Sequence, residues 1–407
     1  MLFWRESFNV IIISFVKLTS KVKRRVLFII DSLNCGGAEK SLLSLLLHLD
    51  YARFDVSLSV VSQGGALAGY IPKEVKILPF PKLGRVRTVI IKCLYYILFR
   101  LFSHEGHRRH GAEIRWLCSR CFIPRFDGEF DVAVAYQQGF PTYYVSEKVT
   151  SRFKVAWVNT DLSKAGYRSR FNRPFYNKMS QVCVVSDALY QILPKDDFVS
   201  QNKLCVVKDI LDAGLIHDLA FSSGSVERLW GDSHGIRILT VGRLAVPKNY
   251  PLAVETANIL KKKGLSFTWI FVGEGSERRI IESLIRKYRL EDDIHLAGFQ
   301  INPYPYFVGC DIYVQTSSFE GFGLTISEAK IFNKPIVTTC FPSVYDQIND
   351  GEDGLMASMD AESVSDKILA IVNNPSLKDK LVTALKQECN LTAVTESEKV
   401  NQMLSEG

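Results

Sequence analysis

The sequence predicts an α/β protein of two doubly wound, Rossmann-like domains, and three observations carry that expectation. Short apolar runs alternate with stretches of helical spacing along most of the chain, the pattern of parallel strands joined by crossover helices. Two such runs, one near each end, pass through glycine-bearing turns into helices: residues 26–49 with Gly36 and Gly37, and residues 311–338 with Gly321 and Gly323. At 407 residues the chain exceeds what one hydrophobic core normally supports, so two domains are needed.

Taken in order, residues 26–30 are the first strand, and leucines recur at helical spacing over 40–49, beyond the turn Gly36-Gly37-Ala38-Glu39. Strand, diglycine turn, helix is the form of a phosphate-approach loop, although a glycine pair alone also describes a plain turn. Residues 54–61, 75–78, 132–135, 154–158, 181–185 and 203–207 supply the other strands of the first sheet, and Ser186 is placed to cap a helix. Periodicity is lost over 209–233, where Gly214, Gly224, Gly231 and several serines mark a linker. Strands then resume at 236–241, 267–272, 294–297, 312–314 and 335–338, with helices at 251–262, 324–332, 361–373 and 375–386. The resulting division is an amino-terminal extension (1–22), a first domain (23–215), a linker (216–233) and a second domain (234–407).

Chemistry gathers at the carboxyl ends of these strands, where open parallel sheets bind ligands. Arg243 and Lys248 follow the strand 236–241. A guanidinium and an ammonium there can surround a diphosphate and neutralise charge as its bond breaks. The run Glu320-Gly321-Phe322-Gly323 opens the helix 324–332, whose unpaired amides and positive dipole end suit an anion. Glu320 and Glu328 bracket that turn. A carboxylate only accepts hydrogen bonds, so beside a phosphate pocket it suits sugar hydroxyls, one glutamate for a ribose and one for a second polyhydroxylated group. Taken singly, the two also read as a turn residue and a surface helix residue. Gly273-Glu274-Gly275 lacks the third glycine of a dinucleotide fingerprint, and with Gly298-Phe299 it forms a pair of glycine turns on the nucleotide side.

Together these runs resemble the donor-site signature of family 4 retaining glycosyltransferases, which have the GT-B architecture of two Rossmann-like domains facing across a cleft. The likeness rests on Glu320-Gly321-Phe322-Gly323 with Glu328 and Lys334-Pro335-Ile336-Val337, on Val241-Gly242-Arg243-Leu244 with Lys248-Asn249, and on Val272-Gly273-Glu274-Gly275. Gly298-Phe299, residues 351–355 and Gly36-Gly37-Ala38-Glu39 extend it, all in the family's order. The resemblance implies a sugar transferase that needs no metal or other cofactor. Its donor would be a nucleotide-sugar, UDP-linked by preference, and its acceptor a lipid-linked or other saccharide of a bacterial capsule, lipopolysaccharide or O-antigen. It implies Arg243, Lys248 and the amides of Gly321, Phe322, Gly323, Leu324 and Thr325 for the leaving diphosphate, Glu328 for the ribose and Glu320 for the sugar. The base would lie near Phe299, and the Gly36-Gly37 loop across the cleft. Where relatives carry histidine before Thr-Asp-Leu, this chain has Asn159, which hydrogen-bonds but carries no charge. Asn159 alternatively caps the next helix. Two further readings stay open: a UDP-sugar epimerase of the same architecture, and a non-catalytic membrane-associated subunit.

The net charge of +7 is modest, but basic residues cluster in the amino-terminal half. No nucleic-acid partner is expected. Residues 88–102 are apolar around most of a helix, with Lys92, Tyr96, Arg100 and Ser103 in one polar stripe and a basic, histidine-rich run at 104–110. Two readings compete for residues 88–110. One is an interfacial helix that holds the protein, as a peripheral component, on anionic lipid at the cytoplasmic face of the inner membrane. The other is a core helix with a solvated basic end. Neither this stretch nor the apolar run 10–16 is long enough to cross a bilayer. Nine dispersed cysteines argue for a reducing cytosol rather than a disulfide framework, and Cys118 and Cys121 read as two core thiols. Histidines interleaved with arginines make a poor cation site, so no metal is assigned.

Overall fold

The computed structural model describes residues 22–34, 36–62, 64–102, 109–222, 226–231, 233–388 and 391–407; the extension over 1–21 and the basic run at 104–108 lie outside them. The first sheet comprises β1 (Arg24–Ile30), β2 (Phe54–Val60), β3 (Lys76–Leu78), β4 (Glu129–Ala135), β5 (Thr150–Val158), β6 (Gln181–Val184) and β7 (Leu204–Val206), in the order β3-β2-β1-β4-β5-β6-β7. The second comprises β8 (Ile236–Val241), β9 (Phe267–Val272), β10 (Ile294–Gly298), β11 (Ile312–Gln315), β12 (Ile336–Thr339) and β13 (Leu355–Ala357), in the order β10-β9-β8-β11-β12-β13. Every pairing between these strands is parallel. Helices cover both faces of such sheets, which is why the central strands read as unbroken apolar runs: Val26 through Ile30 are wholly buried.

In each sheet the strand order reverses at one central pair, β1 beside β4 and β8 beside β11. Connections leave such a pair in opposite directions and open a crevice at the strands' carboxyl ends. The turn Gly36-Gly37 follows β1, Arg243 and Lys248 follow β8, and Glu320 follows β11. The runs that stand out in the sequence therefore fall at the two switch points.

Three segments differ from expectation. The stretch 209–233, read as an aperiodic linker, contains the helices Ala213–Ser222 and Val226–Trp230. Ile216, Leu219, Ala220 and Trp230 bury against one face of the second sheet; the surrounding glycines and serines obscured their helical spacing. The polar tail forms the helix Leu391–Glu406, and Val400, Met403 and Leu404, one turn apart, enter the core of the first domain. The Arg24 guanidinium donates to the Leu404 carbonyl at 3.1 Å. Finally, the helix Arg85–Leu101 contains no buried residue, and Val86, Val89, Ile90, Ile97, Phe99 and Leu101 are all exposed. The core-helix reading fails because the helix leans with one side on the helix Gly111–Ser119 and, among the described residues, nothing covers the apolar side that carries these exposed residues.

That helix also ends before residue 110. Arg109 lies over the Phe102 and Phe171 rings, and His110 stacks on Tyr167 while its Nδ1 accepts from the Ala112 amide at 3.2 Å, capping the helix Gly111–Ser119. Cys118 is buried but Cys121 is exposed, so the two are not both core thiols. Among the described residues, no helix is long and apolar enough to cross a membrane.

Candidate functional site

A cleft of about 1350 Å³ lies between the carboxyl ends of the two sheets. Every predicted site residue except Gly275 lines it. The second domain contributes its floor. Lys248 Nζ lies 2.5 Å from Glu320 Oε1, and the same oxygen accepts from Ser317 Oγ at 2.6 Å and Gln315 Nε2 at 3.2 Å. Three donors on one oxygen hold the carboxylate, and through it the ammonium, in one place. Arg243 is exposed on the rim and pairs with no carboxylate among the described residues, which leaves its guanidinium available to an anion.

The turn before the helix Leu324–Ile331 is built for close approach. A Cβ at Gly321 would stand 1.9 Å from the Asn159 carbonyl oxygen, so the donor-side loop touches the first domain's strand end with no room for a side chain. Phe322 and Leu324 insert into the first domain's core cluster, while Gly323 turns the chain at φ +102°. The amides of Gly321 through Thr325 donate to no protein acceptor among the described residues. Five donors and a helix N-terminus thus meet at the cleft floor.

Other predicted residues have more particular surroundings. Asn159 Nδ2 donates to the Tyr136 carbonyl at 3.4 Å, and its backbone amide donates to Gln138 Oε1 at 3.0 Å. Turns follow it and the next helix begins at Ser169, so Asn159 caps none. Glu274 is paired with Arg278 one turn along, and Phe299 is exposed over the cleft. Gly275 serves packing instead: a Cβ there would lie 2.2 Å from the Leu244 carbonyl, against which this turn is hydrogen-bonded.

The sequence reading missed residues on the first domain's wall. Lys40 crosses the cleft to Glu328, with Nζ to Oε1 at 2.5 Å. A signal was available, since a cation in the first turn of a helix opposes the dipole unless a carboxylate awaits it. Arg115 pairs with Asp31 at 2.9 Å and lies over the Phe140 ring, and Lys164 lies over the Phe319 ring across the cleft. Asp209 also lines the cleft, buried, with Oδ1 unpartnered among the described residues. Burial pushes its carboxyl up to about 7, against the smaller lowering effect of a hydrogen bond with Ser41.

Two parallel Rossmann-like sheets facing one cleft define the class of the molecule: the fold is GT-B. Among solved structures, HepE of Anabaena in complex with UDP and glucose superposes with a TM-score of 0.70 at 16% identity, over 94% of this chain and 100% of that one. Within the second domain, residues 232–388 match the family model for glycosyl transferases group 1. A poly(ribitol-phosphate) alpha-N-acetylglucosaminyltransferase of Staphylococcus aureus is 32% identical over 141 residues, 34% of this chain and 28% of that protein. A Campylobacter jejuni enzyme, N-acetylgalactosamine-N,N'-diacetylbacillosaminyl-diphospho-undecaprenol 4-alpha-N-acetylgalactosaminyltransferase, is 32% identical over 127 residues, 31% of this chain and 34% of that protein. The chain thus spans about a third of the length of these curated relatives.

Proposed function

We propose that this chain is a retaining glycosyltransferase of family 4 that moves a sugar from a UDP-linked donor to a saccharide or lipid-linked acceptor in bacterial cell-surface glycan assembly. The observation that carries the reading is the meeting of Lys248 and five unpaired amides at one helix N-terminus on the cleft floor, with Arg243 on the rim of the same cleft. A group with a double negative charge and several acceptor oxygens matches that set of donors. Relatives whose names specify sugar transfer, and a structural neighbour holding UDP, support the choice of reaction and nucleotide.

In this reading the diphosphate lies on the amides of Gly321 to Thr325, with Lys248 and Arg243 taking up charge as its bond to the sugar C1 breaks. Glu328 accepts from the ribose and Glu320 from the sugar, while Phe299 and the Gly273-Glu274 turn flank the base. The acceptor oxygen bonds to C1 on the face the diphosphate leaves, and a diphosphate oxygen takes the acceptor's proton. Because side chains and amides neutralise the leaving group, the scheme uses no metal. Asn159 and the Gly36-Gly37 loop face the donor from the first domain.

The protein would act as a peripheral component of the inner membrane's cytoplasmic face. The uncovered apolar side of Arg85–Leu101, with Arg85, Arg87, Lys92 and Arg100 on the same helix, supports this. Ile91, Lys92 and Tyr95 of that helix line the cleft, which supports an entry for a lipid-borne acceptor beside the donor. Incubation of UDP-sugars with membrane lipid extract, read by mass spectrometry, tests the function. A glycosylated lipid or saccharide and released UDP are expected; conversion of the donor to an epimer without acceptor would assign the epimerase reaction instead.

A further inference from the structure

Glu328 is wholly buried, and its two oxygens are treated differently. Oε1 accepts from Lys40 Nζ at 2.5 Å and from the Tyr304 hydroxyl at 3.3 Å. Oε2 is buried and has no partner among the described residues. The two donors come from opposite sides of the cleft. Tyr304 belongs to the second domain, as Glu328 does, whereas Lys40 stands on the helix Gly37–Leu47 that follows the diglycine turn of the first. The ammonium also lies 4.9 Å over the Tyr304 ring, so aromatic face, phenol and carboxylate converge on one cation. Burial alone would lower the Lys40 pKa, but the Glu328 carboxylate and Tyr304 outweigh it and the net direction is upward, which keeps the side chain charged.

A buried carboxylate with one unpartnered oxygen is costly in a molecule that has no use for that oxygen. Its cost falls away when a ligand hydroxyl supplies the missing donor. We infer that Lys40 is a positioning residue of the donor site: by occupying Oε1 from across the cleft, it turns Oε2 toward the donor's ribose hydroxyls and makes nucleotide binding depend on both domains being together. This rests on the reading of Glu328 as the ribose carboxylate. It goes further in giving the first domain a part in gripping the nucleotide. The opposite role is a lock, in which Lys40 fills the place of the ribose and must leave before a donor can enter. The two roles predict effects of opposite sign.

The test is UDP binding to the whole protein by calorimetry, with Lys40→Met, Lys40→Arg, Glu328→Gln and the double variant Lys40→Met with Glu328→Gln. Losing an oriented bond to a charged group is expected to weaken UDP binding roughly tenfold or more in Lys40→Met, with Lys40→Arg restoring most of it. Two controls separate positioning from general damage. The weakening should vanish for 2′,3′-dideoxy-UDP, which lacks the hydroxyls Oε2 would accept, and Lys40→Met should add little once Glu328 is Gln. UDP binding that is unchanged or tighter in Lys40→Met overturns the inference and leaves the proposed function standing. Equal weakening for UDP and its dideoxy form overturns it too. Failure of the unaltered protein to bind UDP, GDP or ADP overturns the proposed function, and this inference with it.

Discussion

Replacing Lys248 by Met separates the chemistry of the cleft from its stability. The methionine stem preserves the cover that the lysine chain gives Gly242, where a Cβ would meet Lys248 Cε at 3.2 Å. What is lost is the ammonium 2.5 Å from Glu320. Glu320 does not become an orphan, because Ser317 and Gln315 still donate to it. With the side chains 21% and 14% exposed, the loss of folding stability should be about 1.5–3 kcal/mol, the range for a hydrogen bond to a charged group. The loss in turnover should be larger. Removing one preorganised donor from a site of developing charge costs about 10²- to 10³-fold in kcat, roughly 3–4 kcal/mol. The assay is initial-rate UDP release with donor and acceptor saturating, beside a thermal melt of the same preparation. Glu320→Gln supplies the contrast: it keeps a hydrogen-bond acceptor and frees the ammonium, so UDP affinity should hold or rise while sugar transfer falls. Turnover of Lys248→Met within about threefold of the unaltered protein, or a deficit no larger than its unfolded fraction explains, would refute the leaving-group role.

Three further outcomes are expected. Gly321→Ala places a methyl 1.9 Å from the Asn159 carbonyl; the donor-side loop must withdraw, so transfer should fall by about tenfold or more because a displacement of an ångström misaligns the reacting groups, and the melting temperature should fall as well because Phe322 and Leu324 move out of the first domain's core with the loop. Asp209→Asn should stabilise the fold above pH 7. The native carboxyl, raised to about 7 by burial from a usual 3.8, holds its proton in the folded state where the unfolded chain has released it. Its contribution is therefore fully present below about pH 3.8 and is lost as pH rises to about 7, by up to about 1.4 kcal/mol per pH unit. Melting curves from pH 4 to 9 should show the variant's advantage open through that window; a constant offset would show that Asp209 does not titrate there. Finally, the pair Ile97→Glu and Leu101→Glu should abolish co-sedimentation with phosphatidylglycerol vesicles and leave the melting temperature unchanged, since neither side chain is buried. Persistent sedimentation would place any membrane contact elsewhere.

Much of the architecture was legible because strands buried on both faces of a parallel sheet have no polar alternation to confuse, as in Val26 through Ile30 or Phe267 to Val272. Glycine turns then marked the carboxyl ends where the site had to lie, and Glu320, Lys248 and the amides before Leu324 belong to segments whose local pattern announces a binding turn. Short edge elements were harder: β13 has three residues, too few to show a period. The helices Ala213–Ser222 and Leu391–Glu406 each bury only a narrow stripe, and flanking glycine, serine or charged residues obscured it.

Local sequence thus determined two layered α/β units and the chemical character of the turns between their elements, because hydrophobic period and turn stereochemistry act over a few residues. It could not determine which wall of the cleft each side chain meets. Lys40 and Glu328 are 288 positions apart, Gly321 rests on Asn159, and Val400 closes the first domain's core from the far end of the chain. Such pairings depend on how two finished sheets dock, and tertiary packing likewise decided that one apolar side of the helix Arg85–Leu101 is left uncovered by the described residues.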